Sequence, residues 1–150
     1  PAGAPLTNED LAGLRQRLDP RSREDVADFV SCLMHRAPFP VFLVADELRS
    51  KIGGPAQQDI LRSVSEADHL DHEALRALPM PVLCVWGASE RLLPAHFLPY
   101  YRQHLPPHAR LGIFERCGHL PSIEQPGRLV DIMRAFISLA GTEAISHVSH

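Results

Sequence analysis

The chain has 150 residues, of which 45% are hydrophobic and 22% charged, with a formal net charge of −3. This is the composition of an ordinary globular domain, and its acidic and basic residues are interspersed without a basic stripe, so nucleic acid is not an expected partner. The longest apolar run, residues 39–45, is too short to cross a bilayer, and we expect no membrane span.

The cysteines and the N-terminal residues indicate the expected cellular compartment. Three sparse cysteines, at positions 32, 84 and 117, do not make a disulfide framework. The first five residues, Pro-Ala-Gly-Ala-Pro, have neither the basic region nor the apolar region of a signal peptide. Both features favour a cytoplasmic protein.

The first half of the chain, up to about residue 66, has the pattern of helices. Thr7 followed by Asp10 resembles a capping box, Pro20 is expected to end the first helix, and Ser22 is a second candidate N-cap. The second helix has apolar residues at amphipathic spacing, namely Val26, Phe29, Val30, Leu33 and Met34.

Two further helical stretches are expected, one from about Pro40 to the Gly-Gly-Pro at 53–55 and a weaker one over 55–64. The first of them is unusual because its start is apolar on all sides, at Phe39, Val41, Phe42, Leu43 and Val44. Such a segment is either buried or faces an apolar ligand or partner, and burial in the core is the favoured interpretation.

After residue 69 the pattern changes to alternating strands and helices. Residues 81–86 predict a strand buried on both faces, 95–104 a helix and 110–114 a second strand. A final helix begins near Pro126 and is expected to end at Gly141. Its apolar face comprises Leu129, Ile132, Met133, Phe136, Ile137 and Ala140.

Two strands joined through a helix form a right-handed crossover unit of a parallel sheet. Two strands alone leave both sheet edges bare, which makes a poor independent sheet. The pattern therefore predicts an α/β protein that is part of a larger domain.

The loops that follow the two strands carry the candidate catalytic residues. Glu90 lies in the first loop, and His119 lies in the second. Because sites in open α/β sheets form beyond the carboxyl ends of the strands, we expect these side chains to meet. A carboxylate that faces an imidazole is the orienting pair of a nucleophilic triad.

These loops resemble those of the α/β-hydrolases. Residues 86–94 read W-G-x-x-E-x-x-x-P and residues 118–126 read G-H-x-x-x-x-E-x-P. The family patterns are the same, except that Asp is usual where Glu90 stands. The resemblance spans about residues 74–140, while residues 5–66 resemble only loosely the helical lid that the family inserts before this segment.

The resemblance implies a partial α/β-hydrolase fold, a helical lid followed by the last parallel strands and helices. The lid would span residues 1–66, the C-terminal part of the core residues 67–142, and a flexible tail residues 143–150. It also implies that Glu90 is the triad acid and His119 the general base.

Other interpretations of these residues stay open. Glu90 beside Arg91 could form a solvated loop pair, and His119 could be a structural histidine in a turn. Asp68 or Asp71, before the first strand, could substitute as the acid.

The candidate substrate-binding residues are Phe39, Phe42 and Trp86. The first two would help to line an acyl pocket beneath the lid, whereas Trp86 belongs to the core or lines a pocket near the site. Cys117 is expected to be a packing residue rather than a nucleophile, because adjacent residues do not easily face one another across a hydrogen bond. Cys84, in mid-strand, is expected to be buried.

A metal site is not expected. His69-x-x-His72 and the pair His147 and His150 have suitable spacing, but no cysteine or carboxylate cluster completes either set of ligands. No cofactor is implied.

Two functions follow. The sequence has no G-x-S-x-G nucleophile elbow, so the chain would be the C-terminal part of a serine-type hydrolase of small apolar ester-like substrates, inactive without the N-terminal half that carries the nucleophile. Alternatively, it is a non-catalytic, hydrolase-like module that dimerises or binds a partner. Esterase, dehalogenase, epoxide hydrolase and C–C hydrolase activities are not distinguished by these residues.

Overall fold

A computed structural model of the chain describes residues 3–37, 39–52, 54–65 and 68–146. The elements in chain order are α1 (Asn8–Arg17), α2 (Arg23–Leu33), a 3-10 helix (Val41–Leu43), α3 (Ala45–Ile52), α4 (Pro55–Ser63), α5 (His72–Arg76), β1 (Leu83–Gly87), α6 (Phe97–His104), β2 (Arg110–Phe114), α7 (Pro121–Glu124) and α8 (Pro126–Ser146).

Both predicted helix starts are confirmed. The Thr7 hydroxyl accepts from the Asp10 N–H while the Asp10 carboxylate accepts from the Thr7 N–H, which is a complete capping box. Ser22 and Asp25 repeat this arrangement at the start of α2. Each box satisfies backbone N–H groups that a first helical turn otherwise leaves unpaired.

The favoured burial of residues 39–44 is wrong. Phe42 is 65% exposed and Leu43 is 70% exposed, and Phe39 and Val44 are also exposed. The segment forms a short 3-10 helix, and only its Val41 side packs on the core formed by α2 and α3. The predicted continuous helix from Pro40 is therefore replaced by the 3-10 helix followed by α3. The helix α3 ends at Ile52, and Gly53, where the helix was predicted to stop, lies outside the described residues.

The second half forms the predicted parallel crossover. β1 pairs with β2 in parallel, from Leu83 opposite Arg110 to Gly87 opposite Phe114, and α6 connects them. β1 is half-buried, Cys84 included, rather than buried on both faces, because the sheet has only these two strands in the part of the chain that the structure describes.

The helices of this half differ from the prediction in three places. α8 continues past Gly141, its predicted end, to Ser146, which takes it into the segment predicted as a flexible tail. Two short helices, α5 and α7, were not predicted, because five and four residues are too few to show helical periodicity.

Two groups of buried side chains form the core. The first joins the N-terminal segment to α6 through Leu6, Leu11 and Phe97, and Trp86 packs against it. The second joins α2 to α3 and comprises Val26, Val30, Met34 and Ala45. None of the described helices combines the length and the apolar character needed to cross a membrane. The boundary at residue 66 between lid and core stays a prediction.

Candidate active site

The site is built where β1 and β2 end. The acid loop, residues 88–94, follows β1, and the histidine loop, residues 115–121, follows β2. The two loops are joined by backbone hydrogen bonds, since Ala88 N donates to Phe114 O (2.9 Å) and Ser89 N donates to Cys117 O (2.8 Å). The parallel register therefore places the two loops side by side at one edge of the sheet.

Gly87 permits this close approach. A Cβ atom at this position would lie 2.0 Å from the carbonyl oxygen of Gly118 and 2.4 Å from that of Cys117. Only a residue without a side chain fits beneath the histidine loop. Gly87 thus allows the end of β1 to touch the segment that carries His119.

Glu90 and His119 form a hydrogen-bonded pair. Nδ1 of His119 donates to Oε2 of Glu90 at 2.7 Å. The other carboxylate oxygen, Oε1, accepts from the backbone N–H groups of Leu92 (2.8 Å) and Leu93 (3.1 Å). The Glu90 side chain is 8% exposed, so all its contacts are made away from bulk water.

The carboxylate of Glu90 is held in its ionised form. Burial by itself would raise the pKa of Glu90, but the hydrogen bond to His119 and those from Leu93 and Leu92 outweigh it and lower the pKa below its usual value. An ionised carboxylate is an acceptor only, so the proton of the pair lies on Nδ1. In a neutral imidazole with its proton on Nδ1, Nε2 is the proton acceptor.

Nε2 of His119 is the ring nitrogen that does not face Glu90. The His119 side chain is 31% exposed, and no hydrogen bond reaches Nε2 from within the ranges that the structure describes. A basic nitrogen that is fixed through the opposite ring atom and accessible to a reactant can remove a proton from a hydroxyl group.

The end of α2 lies against both loops. His119 N donates to Leu33 O (2.7 Å), and Arg91 donates to Met34 O (2.8 Å). Nδ1 of His35 hydrogen-bonds the Ser89 hydroxyl at 2.7 Å. These contacts tie the predicted lid segment to the two loops of the candidate site.

Structural comparison gives matches over nearly the whole chain. A putative lipase from Acinetobacter baumannii AYE superposes with a TM-score of 0.71 at 17% identity, covering 95% of this chain and 52% of that one. The 2-hydroxy-6-oxo-6-phenylhexa-2,4-dienoate hydrolase of Rhodococcus sp. strain RHA1 gives 0.70 at 22% identity, with 91% and 52% coverage. Both are α/β-hydrolases. The chain has a partial α/β-hydrolase fold.

Sequence comparison gives a match over a shorter part of the chain. The pimeloyl-[acyl-carrier protein] methyl ester esterase of Nitrosomonas europaea is 36% identical over 61 residues, which are 41% of this chain and 24% of that esterase. No sequence profile of a protein family matches the chain. The chain thus spans about half the length of these solved α/β-hydrolases and a quarter of the curated esterase.

The alternative interpretations of Glu90, Asp68 and Asp71 can be compared with their hydrogen bonds. Glu90 is not a solvated partner of Arg91, whose guanidinium donates instead to the backbone of α2. The Asp68 carboxylate accepts from Ser65, and Asp71 caps α5. Neither aspartate bonds His119, so Glu90 is the acid that the fold brings to the histidine.

The other predicted residues are placed as follows. Phe39 and Phe42 are exposed, and Trp86 packs against the first core group and near Tyr101. Cys117 is fully buried, and burial raises the pKa of its thiol, with Glu124 adding to the effect. A buried thiol that stays protonated is a packing residue, as expected, and a poor nucleophile.

Metal binding finds no support within the described ranges. No group of three or more histidine, cysteine or acidic side chains there could hold an ion. The His72 ring lies 5.2 Å from the tilted ring of His104, and it lies beside Asp71 and Glu73. His147 and His150 lie outside the described residues.

Sequence reasoning missed Glu124 as a contributor to the site. The residue belongs to the G-H-x-x-x-x-E-x-P pattern, yet the pattern assigns it no contact. In the structure its carboxylate accepts from Gly118 N and His35 N, which lie on different segments. Only the three-dimensional approach of α2 to the histidine loop reveals this contact.

Proposed function

We propose that this chain is the C-terminal part of an α/β-hydrolase of the serine type, in which His119 is the general base and Glu90 the acid that orients it. The observation that carries the proposal is the 2.7 Å hydrogen bond between Glu90 and His119 at the ends of two parallel strands. The further bonds of Glu90 to Leu92 and Leu93 fix the acid in the orientation that this role needs.

The chemistry of the pair follows from its protonation. Nε2 of His119 would take the proton of a nucleophile's hydroxyl as that oxygen attacks a carbonyl carbon, and would return the proton to the leaving alcohol. Ionised Glu90 would stabilise the imidazolium that forms between the two steps. The base is regenerated at the end of each half-reaction.

The nucleophile would come from a segment outside these 150 residues. The sequence has no G-x-S-x-G elbow, and the chain spans about half of the α/β-hydrolases that it matches. Without nucleophile and oxyanion donors, the chain alone would have little activity.

A small apolar ester is the proposed substrate class. Phe39 and Phe42 present exposed aromatic rings that would help to bind an acyl group once the rest of the protein covers them. The partial match to a methyl ester esterase supports ester chemistry over dehalogenation or epoxide opening. The three sparse cysteines support a cytoplasmic setting for this reaction.

A second candidate is a non-catalytic module that dimerises. Val130, Met133 and Ile137 lie on one face of α8, at i, i+3 and i+7, and are exposed. Such a stripe could pair with its copy.

Native mass spectrometry of the protein purified from its own cells separates these candidates. The hydrolase proposal is supported if the purified species is a longer polypeptide, or a complex with a companion chain, and hydrolyses p-nitrophenyl butyrate. An inactive species built only from copies of this chain contradicts it and favours the module.

A further inference from the structure

The carboxylate of Glu124 joins two segments that are far apart in sequence. Oε1 accepts from the backbone N–H groups of His35 (2.7 Å) and Arg36 (3.3 Å), and Oε2 accepts from Gly118 N. Two donors thus lie in the segment just after α2, and the third is the residue before His119. One side chain therefore connects the predicted lid to the histidine loop.

The geometry around Gly118 shows how close this connection is. A Cβ atom on Gly118 would lie 2.6 Å from Leu33 O and 2.9 Å from the Met34 backbone. His119 N also donates to Leu33 O. The histidine loop and the end of α2 are thus in backbone contact beside the carboxylate of Glu124.

α2 is itself part of a packed unit, which we call the α2 unit: α2, the 3-10 helix and α3. Its buried core comprises Val26, Val30, Met34 and Ala45, with Val41 packed at the edge. The segment that Glu124 holds is therefore one end of a packed body.

A carboxylate suits this joint better than a neutral side chain. Hydrogen bonds to a charged acceptor are about twice as strong as neutral ones, and the two oxygens offer enough lone pairs for three donors. An amide at the same position would present one acceptor oxygen and one N–H₂ group, which would face a backbone N–H instead of accepting from it.

We propose that Glu124 is a positioning residue that couples the position of the α2 unit to the orientation of the His119 ring. The coupling rests on the proposed function only for the catalytic role of His119, since the joint itself is a structural property of this chain.

Nuclear magnetic resonance of the full chain tests the joint. We expect amide exchange at Gly118 to become about tenfold faster or more in Glu124→Gln, because a charge-assisted bond is lost. The His119 ring signals should shift as well. Glu115→Gln is the matched control, because it removes the same charge from an exposed site in the same loop and should change neither readout.

A double-mutant comparison tests the coupling. Val26→Ala loosens the core of the α2 unit and should shift the His119 ring signals when Glu124 is present, but by much less in the Glu124→Gln background. Equal shifts in both backgrounds would overturn the proposal, as would exchange at Gly118 that is unchanged in Glu124→Gln.

Two substitutes keep the test decisive if a variant does not fold. Val41→Ala, at the edge of the same core, replaces Val26→Ala, and Glu124→Asp, which retracts the charge by one methylene, replaces Glu124→Gln. Neither readout requires turnover. A protein that proves not to be a hydrolase would therefore refute the proposed function while leaving the coupling to be decided by these spectra.

Discussion

Gly87→Ala is a direct perturbation of the contact between the end of β1 and the histidine loop. The new methyl group would lie 2.0 Å from Gly118 O and 2.4 Å from Cys117 O. Both obstacles are backbone atoms, which cannot rotate aside as a flexible side chain can. Real Cβ atoms essentially never come closer than 3.0 Å to another heavy atom. The end of β1 and the histidine loop must therefore separate by about 1 Å.

This separation has a cost in stability that can be approximated. Overpacking of this kind costs about 1–3 kcal/mol. The bond from Ser89 N to Cys117 O joins the same two loops, and its weakening adds about 0.5–1.5 kcal/mol. We therefore expect Gly87→Ala to lower the free energy of unfolding by about 2–4 kcal/mol.

Urea unfolding followed by circular dichroism measures this change, and Gly13→Ala is the control. Gly13 lies inside α1 with no atom near its missing side chain, so alanine there should stabilise the protein by about 0.5–1 kcal/mol. If Gly87→Ala unfolds at the wild-type urea concentration or above it, the loop contact that this structure places at Gly87 is wrong.

Three further predictions concern stability and substrate binding. Phe97→Ala should cost about 3–5 kcal/mol in urea unfolding, because Phe97 is fully buried in the first core group; a cost below 1 kcal/mol would contradict that burial. The pKa of Glu90 is lower in the folded state than in the unfolded chain, so the ionised carboxylate adds to the free energy of unfolding at a pH above the unfolded-state pKa, and this contribution is lost as the pH falls through the folded-state pKa. Glu90→Gln should therefore flatten the acid limb of the curve of stability against pH. An unchanged acid limb would refute this. Phe42→Ser should leave the unfolding midpoint nearly unchanged, since Phe42 is exposed, but raise KM for p-nitrophenyl butyrate severalfold in the active species; an unchanged KM would remove Phe42 from the substrate site.

The sequence correctly predicted the features that depend on residues close together in the chain. The capping boxes at Thr7 and Ser22 are complete within four residues, and the structure shows both. The two strands and their parallel pairing follow from short apolar runs separated by a helix. Glu90 and His119 could be paired in advance because parallel strands bring their following loops to the same edge.

The errors arise where the structure depends on distant parts of the chain. The apolar character of residues 39–44 predicted burial, but burial depends on whether another element covers the segment, and no described element covers Phe42. Glycine often follows the last residue of a helix, yet α8 continues beyond Gly141. A single glycine inside a helix lowers its stability by only about 1 kcal/mol. Glu124 was missed because two of its three donors, His35 and Arg36, lie just after α2, about 90 residues away in sequence.

Turnover by a His119→Ala variant tests the central proposal most directly. The active species purified from its own cells would be assayed with p-nitrophenyl butyrate, beside His108→Ala as the control, because His108 bonds Met80 O before β2 begins and away from the two loops. We predict that His119→Ala lowers kcat by about 10⁴–10⁶ while His108→Ala leaves it nearly unchanged. Near-full turnover in His119→Ala would show that the Glu90–His119 pair is structural and that the catalytic assignment is wrong.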